Sequence, residues 1–276
     1  MGSRLKDKVL VITGAGRGIG RCLALACAAE GAKLVVNDLG VSVAGEVPTS
    51  GPADDVAKEI KASGGIAIPN YESVASMKGG ENIIKAAVDN FGRIDVLVNN
   101  AGILRDRMIF NMTEQEWDAV IAVHLKGTFA CTKPASILMR QQRSGCIINI
   151  SSTTGLFGNA GQANYAAAKG GIQSFTRTVA LDLGRYGVRC NCVAFDAIAT
   201  RMMATVPGAS PLSALPMGQP EDVVGILLWL ATDQAANVNG QIFLATHNVV
   251  TLIAQSSRLK TIYKDGIWTL DELVEL

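Results

Sequence analysis

Aromatic side chains are scarce in this chain, at 5% of its 276 residues, and histidine occurs only twice. A core with so few rings must be filled by Ala, Val, Ile and Leu, and two imidazoles exclude a histidine-rich metal site. Charge of one sign is also lacking: 25 Lys and Arg stand against 24 Asp and Glu, for a net charge of +1. No basic face emerges, so nucleic acid is not an expected partner. No uninterrupted apolar run reaches the length of about 18 residues that a membrane helix needs, so no span is expected. Met1 to Lys8 is polar and lacks an apolar signal segment, and Lys6 stands where a myristoylation pattern needs Ser or Thr. The ending Val274-Glu275-Leu276 is no known address, and a cytoplasmic location is the expectation. The cysteines at 22, 27, 131, 146, 190 and 192 form no Cys-x-x-Cys pair. They read as buried free thiols, and no metal is expected.

What the chain does have is aliphatic bulk and glycine: 49% hydrophobic residues, 18% charged, and 29 glycines. Short apolar runs alternate with helical ones. Strands are predicted at Val9–Thr13, Lys33–Asp38, Ile66–Tyr71, Val96–Asn99, Ile147–Ser151, Arg189–Val193 and Gln241–Ala245. Helices are predicted at Arg21–Glu30, Asp54–Ser63, Glu81–Phe91, Thr113–Met139, Ala163–Arg185 and Glu221–Thr232. Pro134 should kink or break the fourth of these. Apolar strands separated by helices give a parallel sheet covered on both faces, and right-handed crossovers give the doubly wound order. The expected fold is α/β: a single-domain, Rossmann-like, doubly wound parallel sheet with helices on both faces and a C-terminal extension. No repeat, linker or low-complexity segment divides it.

The first strand runs directly into Gly14-Ala15-Gly16-Arg17-Gly18-Ile19-Gly20, and a helix follows. Glycines there permit a tight turn and let backbone N–H groups and the helix N-terminus meet a pyrophosphate. Asp38 closes the second strand, where an acid can accept both hydroxyls of the adenosine ribose. It would repel a 2′-phosphate, so NAD is expected rather than NADP. Arg17 argues the other way, since a basic residue can pair with that phosphate, but Asp38 is better placed.

The segment Tyr165-Ala-Ala-Ala-Lys169 puts a phenol and an ammonium on one face of a helix. A nearby ammonium is expected to lower the phenol pKa from about 10 toward neutrality, making Tyr165 a general acid and base. Ser152, at the end of the fifth predicted strand, can hold the substrate oxygen beside it. Thr153–Gln162, with three glycines, reads as a loop at the mouth of the sheet.

Thr13-Gly14-x-x-x-Gly18-x-Gly20, Asn99-Asn100-Ala101-Gly102, Ser152 and Tyr165-x-x-x-Lys169, in that order, resemble the short-chain dehydrogenase/reductase family over about residues 5–245. Asn37-Asp38-Leu39-Gly40, Val123-His124-Leu-Lys-Gly127 and Gly158-Asn-Ala-Gly-Gln-Ala-Asn-Tyr165 resemble more closely the (3R)-hydroxyacyl-CoA dehydrogenase domain of peroxisomal multifunctional enzyme type 2 and its free-standing bacterial relatives. The resemblance implies that Tyr165 exchanges the proton, Lys169 binds the nicotinamide ribose, and Ser152 orients the carbonyl. It implies a dinucleotide site at Gly14, Arg17, Gly18, Ile19, Gly20 and Asp38. Further cofactor contacts would come from Ser73 and Val74 at the adenine, Asn100 at a ribose, and Ile198 and Thr200 at the carboxamide. Residues 1–248 would then form the NAD-binding and catalytic domain. Residues 249–276, with Tyr263, Trp268 and Leu270, would be an extension docking on the same or a partner subunit.

Three departures from the family pattern stand out. His124 replaces an Asn, and is either a proton relay or a neutral core residue. Phe195-Asp196 replaces Pro-Gly, and His247-Asn248 replaces Gly-Gly. The substrate expected is a 3-hydroxyacyl thioester of the CoA type. A ring-borne alcohol, steroid or aryl, is the alternative. The chain could also be a catalytically silent subunit that binds NAD and supports an active partner. Met202–Leu215 should form an apolar lid, and Arg105, Arg107 and Arg201 are weak candidates for a coenzyme A phosphate site. Small-residue faces on Thr113–Met139 and Ala163–Arg185 suggest a homodimer or homotetramer.

Overall fold

The computed structural model describes residues 2–40, 51–196, 198, 218–255 and 257–274. The seven strands read from the sequence all form: β1 (Val9–Thr13), β2 (Lys33–Asn37), β3 (Ile66–Asn70), β4 (Val96–Asn99), β5 (Gly145–Ser152), β6 (Val188–Phe195) and β7 (Ile242–Thr246). They pair in parallel in the order β3-β2-β1-β4-β5-β6-β7. The sheet does not stop at β7. β8 (Val249–Leu252) folds back antiparallel on it, so the first residues of the expected extension belong to the sheet. The strand was missed because all four of its residues are exposed and show no alternation.

All five residues of β1 are buried, which is why the strand reads as a continuous apolar run. Leu10 and Ile12 pack against α1 (Gly18–Ala29), α2 (Gly51–Ala62) and α8 (Val224–Ala231). Val9 and Val11 point the other way, to α3 (Met77–Phe91), α5 (Gly127–Gln142) and α7 (Ala163–Gly184). The doubly wound arrangement follows from this alternation.

The long predicted helix is not continuous. Thr113 caps α4 (Glu114–Ile121) in a reciprocal capping box with Glu116. A wide π turn, Ala122–Lys126, then leads into α5. Pro134 lies inside α5, which runs on through it, so the irregular winding falls upstream of the proline. Proline has no N–H for the Ala130 carbonyl. Gly80 of α3 comes so close to that oxygen that a Cβ would stand 2.3 Å from it. Thr153–Phe157, read as loop, is a short helix, α6, whose first turn is capped by the Ser152 hydroxyl.

The six cysteines are unpaired, and all but Cys22 are buried. Cys22 donates to the Glu221 carboxylate at 3.1 Å, and burial pushes its thiol up to about 11. Among the described residues no group of His, Cys, Asp and Glu could hold a metal ion, and no helix is long and apolar enough to cross a membrane.

Candidate active site

β1 and β4 are neighbours, but the chain winds outward from them in opposite directions. Their carboxyl ends therefore open a crevice at the switch point, where doubly wound sheets bind ligands. Gly14 and Gly18 have φ of +63° and +52°, in the left-handed region. A Cβ on Gly14 would lie 2.8 Å from the Ala101 backbone, and one on Gly20 would lie 2.3 Å from the Gly14 carbonyl. The Asn100 amide braces the turn, donating to Thr13 O at 2.9 Å and Gly14 O at 3.0 Å. Arg17 is the N-cap of α1 but no side chain caps that helix, and no acid stands in the first turn with Gly18, Ile19 and Gly20. Its orphan N–H groups and positive end suit a phosphate.

Asp38 follows β2 and leans over the same turn. Its carboxylate accepts from Gly16 N at 2.9 Å and Gly40 N at 2.7 Å. Each oxygen keeps a lone pair for a ribose hydroxyl. Ser73 and Val74 stand beyond β3: the Ser73 hydroxyl accepts from Ala75 N, and Val74 is buried against Gly127. Ile198 is buried and bridges to Gly218. Thr200, Arg201 and Met202–Leu215 lie outside the described residues. The glycine cradle, the uncapped helix end and Asp38 fit a nicotinamide dinucleotide.

β5 delivers Ser152 to the carboxyl edge of the sheet, and α7 brings Tyr165 and Lys169 beside it. Ser152 stands close enough to the Tyr165 hydroxyl to oppose the rise of its pKa, and all three residues are buried. Lys169 Nζ donates to Ile150 O at 2.7 Å and lies 5.5 Å from the centre of the Tyr165 ring. The structure reverses the expected direction of the phenol shift. Burial pushes Tyr165 up to about 12, with Ser152 opposing and Asp106 adding to the rise. Burial likewise brings Lys169 down to about 8. In the chain alone, desolvation dominates at both groups, because each favours its neutral form away from water.

His124 sits in the π turn, edge-on to Tyr165 with ring centres 5.1 Å apart. Its Nε2 lies 2.8 Å from Ile103 O, and its Nδ1 has no partner. Gly102 makes room for the ring, since a Cβ there would stand 2.4 Å from its Cε1. Burial, aided by the Lys169 charge, pushes the imidazole down to about 3 from 6.5. The sign for stability follows. The neutral folded ring contributes fully above pH 6.5, and that contribution is lost as pH falls toward 3, at about 1.4 kcal/mol per unit. His124→Asn is expected to flatten this part of the acid loss. Urea unfolding of both proteins at pH 7 and pH 5 measures it, and an identical pH dependence would count against the assignment.

Other polar residues at the site carry no local sequence signal. Asn164 is fully buried; it accepts from Tyr165 N at 2.7 Å and donates to Arg105 O and Glu116 O. Gln162 links Asp106 to Thr154. Only the tertiary approach of the loop around residue 106 to the start of α7 brings these groups together. Asp196, in place of glycine, accepts from the Thr153 hydroxyl at 3.3 Å. His247 takes a φ of +38°, and its Nδ1 meets Asp222 at 2.9 Å. Arg107 is paired with Glu116, which weakens it as a coenzyme A contact.

A crevice of this kind at the edge of a doubly wound sheet belongs to dinucleotide-dependent oxidoreductases, and this chain is an enzyme of that class. Residues 8–209 match the short chain dehydrogenase family, and the chain belongs to it. It is 48% identical over 243 residues to a 3-oxoacyl-(acyl-carrier-protein) reductase of Synechocystis, covering 87% of this chain and 95% of that one. It is 40% identical over 283 residues to the hydroxyacyl-CoA dehydrogenase ChsB1 of Mycobacterium tuberculosis, covering 98% and 87%. Identity to the mouse peroxisomal multifunctional enzyme type 2 is 43%, over 87% of this chain but only 32% of that much longer protein. A crystal structure of a short chain dehydrogenase from Mycobacterium avium superposes with a TM-score of 0.86 at 43% identity, over 98% of this chain and 93% of the other.

Proposed function

We propose that the chain is an NAD-dependent dehydrogenase of 3-hydroxyacyl thioesters, of the CoA type. The observation that carries this reading is the buried Ser152–Tyr165 pair, with Lys169 one helical turn away, beside the glycine crevice. A nicotinamide dinucleotide bound there supplies or accepts the hydride. In the reducing direction Tyr165, which burial keeps protonated, gives its proton to the substrate oxygen. Ser152 Oγ accepts from Thr154 N, which leaves its O–H free to donate to the same oxygen. Lys169, fixed by Ile150 O, supplies positive charge next to the phenol when it must lose its proton.

The thioester part of the reading is supported by the names of the Synechocystis and M. tuberculosis relatives. An acyl chain also finds apolar surface close by: Met108, Ile109, Phe110 and Phe157 are exposed, and Arg107 is bridged to Gln162 just before α7. The NAD preference rests on Asp38, and Asp38→Ala should narrow the gap between NAD and NADP in kcat/KM. A wild-type enzyme that runs better on NADP would defeat that preference. The substrate class is tested by following NAD reduction over a panel of 3-hydroxyacyl-CoA esters and cyclic alcohols. Turnover confined to cyclic alcohols would replace the thioester, and no turnover on any would point to a silent subunit.

The chain is further proposed to act in the cytoplasm as a homodimer or homotetramer. Phe129 and Ile137 on α5 and Leu181 on α7, the last 83% exposed, offer apolar contact on the helices expected to pair. Residues 249–276, which begin with β8, are proposed to dock on the same or a partner subunit; Leu259, Tyr263, Ile267 and Leu270 there are exposed.

A further inference from the structure

Asp106 stands outside the trio, yet it is tied to it. Its Oδ2 accepts from Gln162 Nε2 at 2.8 Å. Gln162 Oε1 in turn accepts from the Thr154 hydroxyl at 3.0 Å, and the Thr154 backbone N–H donates to Ser152 Oγ at 3.2 Å. Gln162, Thr154 and Ser152 are all buried, so the two inner bonds of the series are sheltered from water, while Asp106 itself is half-buried. The second carboxylate oxygen, Oδ1, is buried without a partner. A carboxylate half-satisfied in this way is costly, and burial pushes it up. A structural tie between Gln162 and the neighbouring loop needs no charge, since Arg107 N already bonds Gly161 O at 2.8 Å across the same gap.

We propose that Asp106 is a positioning residue for the Ser152–Tyr165 pair, anchoring through Gln162 and Thr154 the lone pair of Ser152 so that its O–H points at the substrate oxygen. The inference rests on the catalytic reading of Ser152, Tyr165 and Lys169. Behind burial, which is the larger cause, the negative charge of Asp106 adds to the upward push on the Tyr165 phenol. Among the described residues, the other charged or titratable groups around that phenol are Lys169 on the same helix and the neutral His124 from the π turn. Arg107 of the same loop is paired with Glu116 of α4.

The test compares Asp106→Leu, Asp106→Asn and Gln162→Leu in the intact enzyme, with Tyr165→Phe in the same assay. Asp106→Leu and Gln162→Leu are expected to lower kcat about tenfold to a hundredfold, the size of a misplaced catalytic group, with NAD affinity held. Asp106→Asn keeps an oxygen for Gln162 but loses the charge. It should recover most of the lost kcat and move the rising limb of the alcohol-oxidation pH profile to lower pH. Wild-type kcat in Asp106→Leu overturns the proposal. So does a loss in all three variants that tracks melting temperature and NAD affinity with the pH profile unmoved. If Tyr165→Phe itself keeps turnover, the catalytic reading fails. If Tyr165→Phe is dead while the Asp106 variants are normal, the positioning role alone fails.

Discussion

Tyr165→Phe is expected to remove turnover almost entirely while leaving the protein folded and able to bind the dinucleotide. The substitution deletes one buried oxygen next to Ser152 and keeps the ring packed against His124, Ile103, Leu104 and Ala168. A positioned general acid or base contributes about 10² to 10⁴ in rate, so kcat should fall by that factor. KM should change far less, because the apolar surface proposed for the acyl chain does not include the hydroxyl. The comparison to make is steady-state kinetics alongside NAD titration and thermal unfolding. A variant that turns over at the wild-type rate would remove Tyr165 from the chemistry. One that also loses NAD binding would show that the effect is structural.

The second large effect belongs to Gly20. In Gly20→Ala the new carbon would stand 2.3 Å from the Gly14 carbonyl and 2.6 Å from the Asn100 amide. Neither can retreat cheaply: the first is backbone, and the second is held by Thr13 and Gly14. The turn must open or α1 must move, either of which costs about 1 to 3 kcal/mol as overpacking. Both motions also disperse the N–H groups that would meet a pyrophosphate. Dinucleotide affinity should drop by more than about tenfold, the equivalent of 1.4 kcal/mol, together with a lower melting temperature. Calorimetric titration with NAD checks the first and thermal unfolding the second. Wild-type affinity would mean that the cofactor does not use this turn.

The inner strands were legible because they are largely buried on both faces, so their apolar runs stand out without help from tertiary context. The glycine turn, Asp38 and Tyr165–Lys169 were legible for a related reason: each is a local pattern set by one strand end or one helical turn. The π turn at Ala122–Lys126 was not, since nothing in that stretch breaks helical periodicity, and the turn is held by the approach of Ile103 to His124. The direction of the Tyr165 shift was missed for the same kind of reason. An ammonium four residues away is visible in sequence, whereas the loss of water around the phenol is a property of the assembled core. Asp106 lies far along the chain from Gln162 and Asn164, and only the fold brings its loop to them.

The placement of the sulfur atoms has a practical corollary. With five thiols sealed inside and Cys22 hydrogen-bonded to a carboxylate, a thiolate is scarce everywhere in the native state. Maleimides and mild peroxide should find little to attack until the chain opens. Labelling at Cys27, Cys131, Cys146, Cys190 or Cys192 therefore reports global unfolding, and handling in air calls for no added reductant.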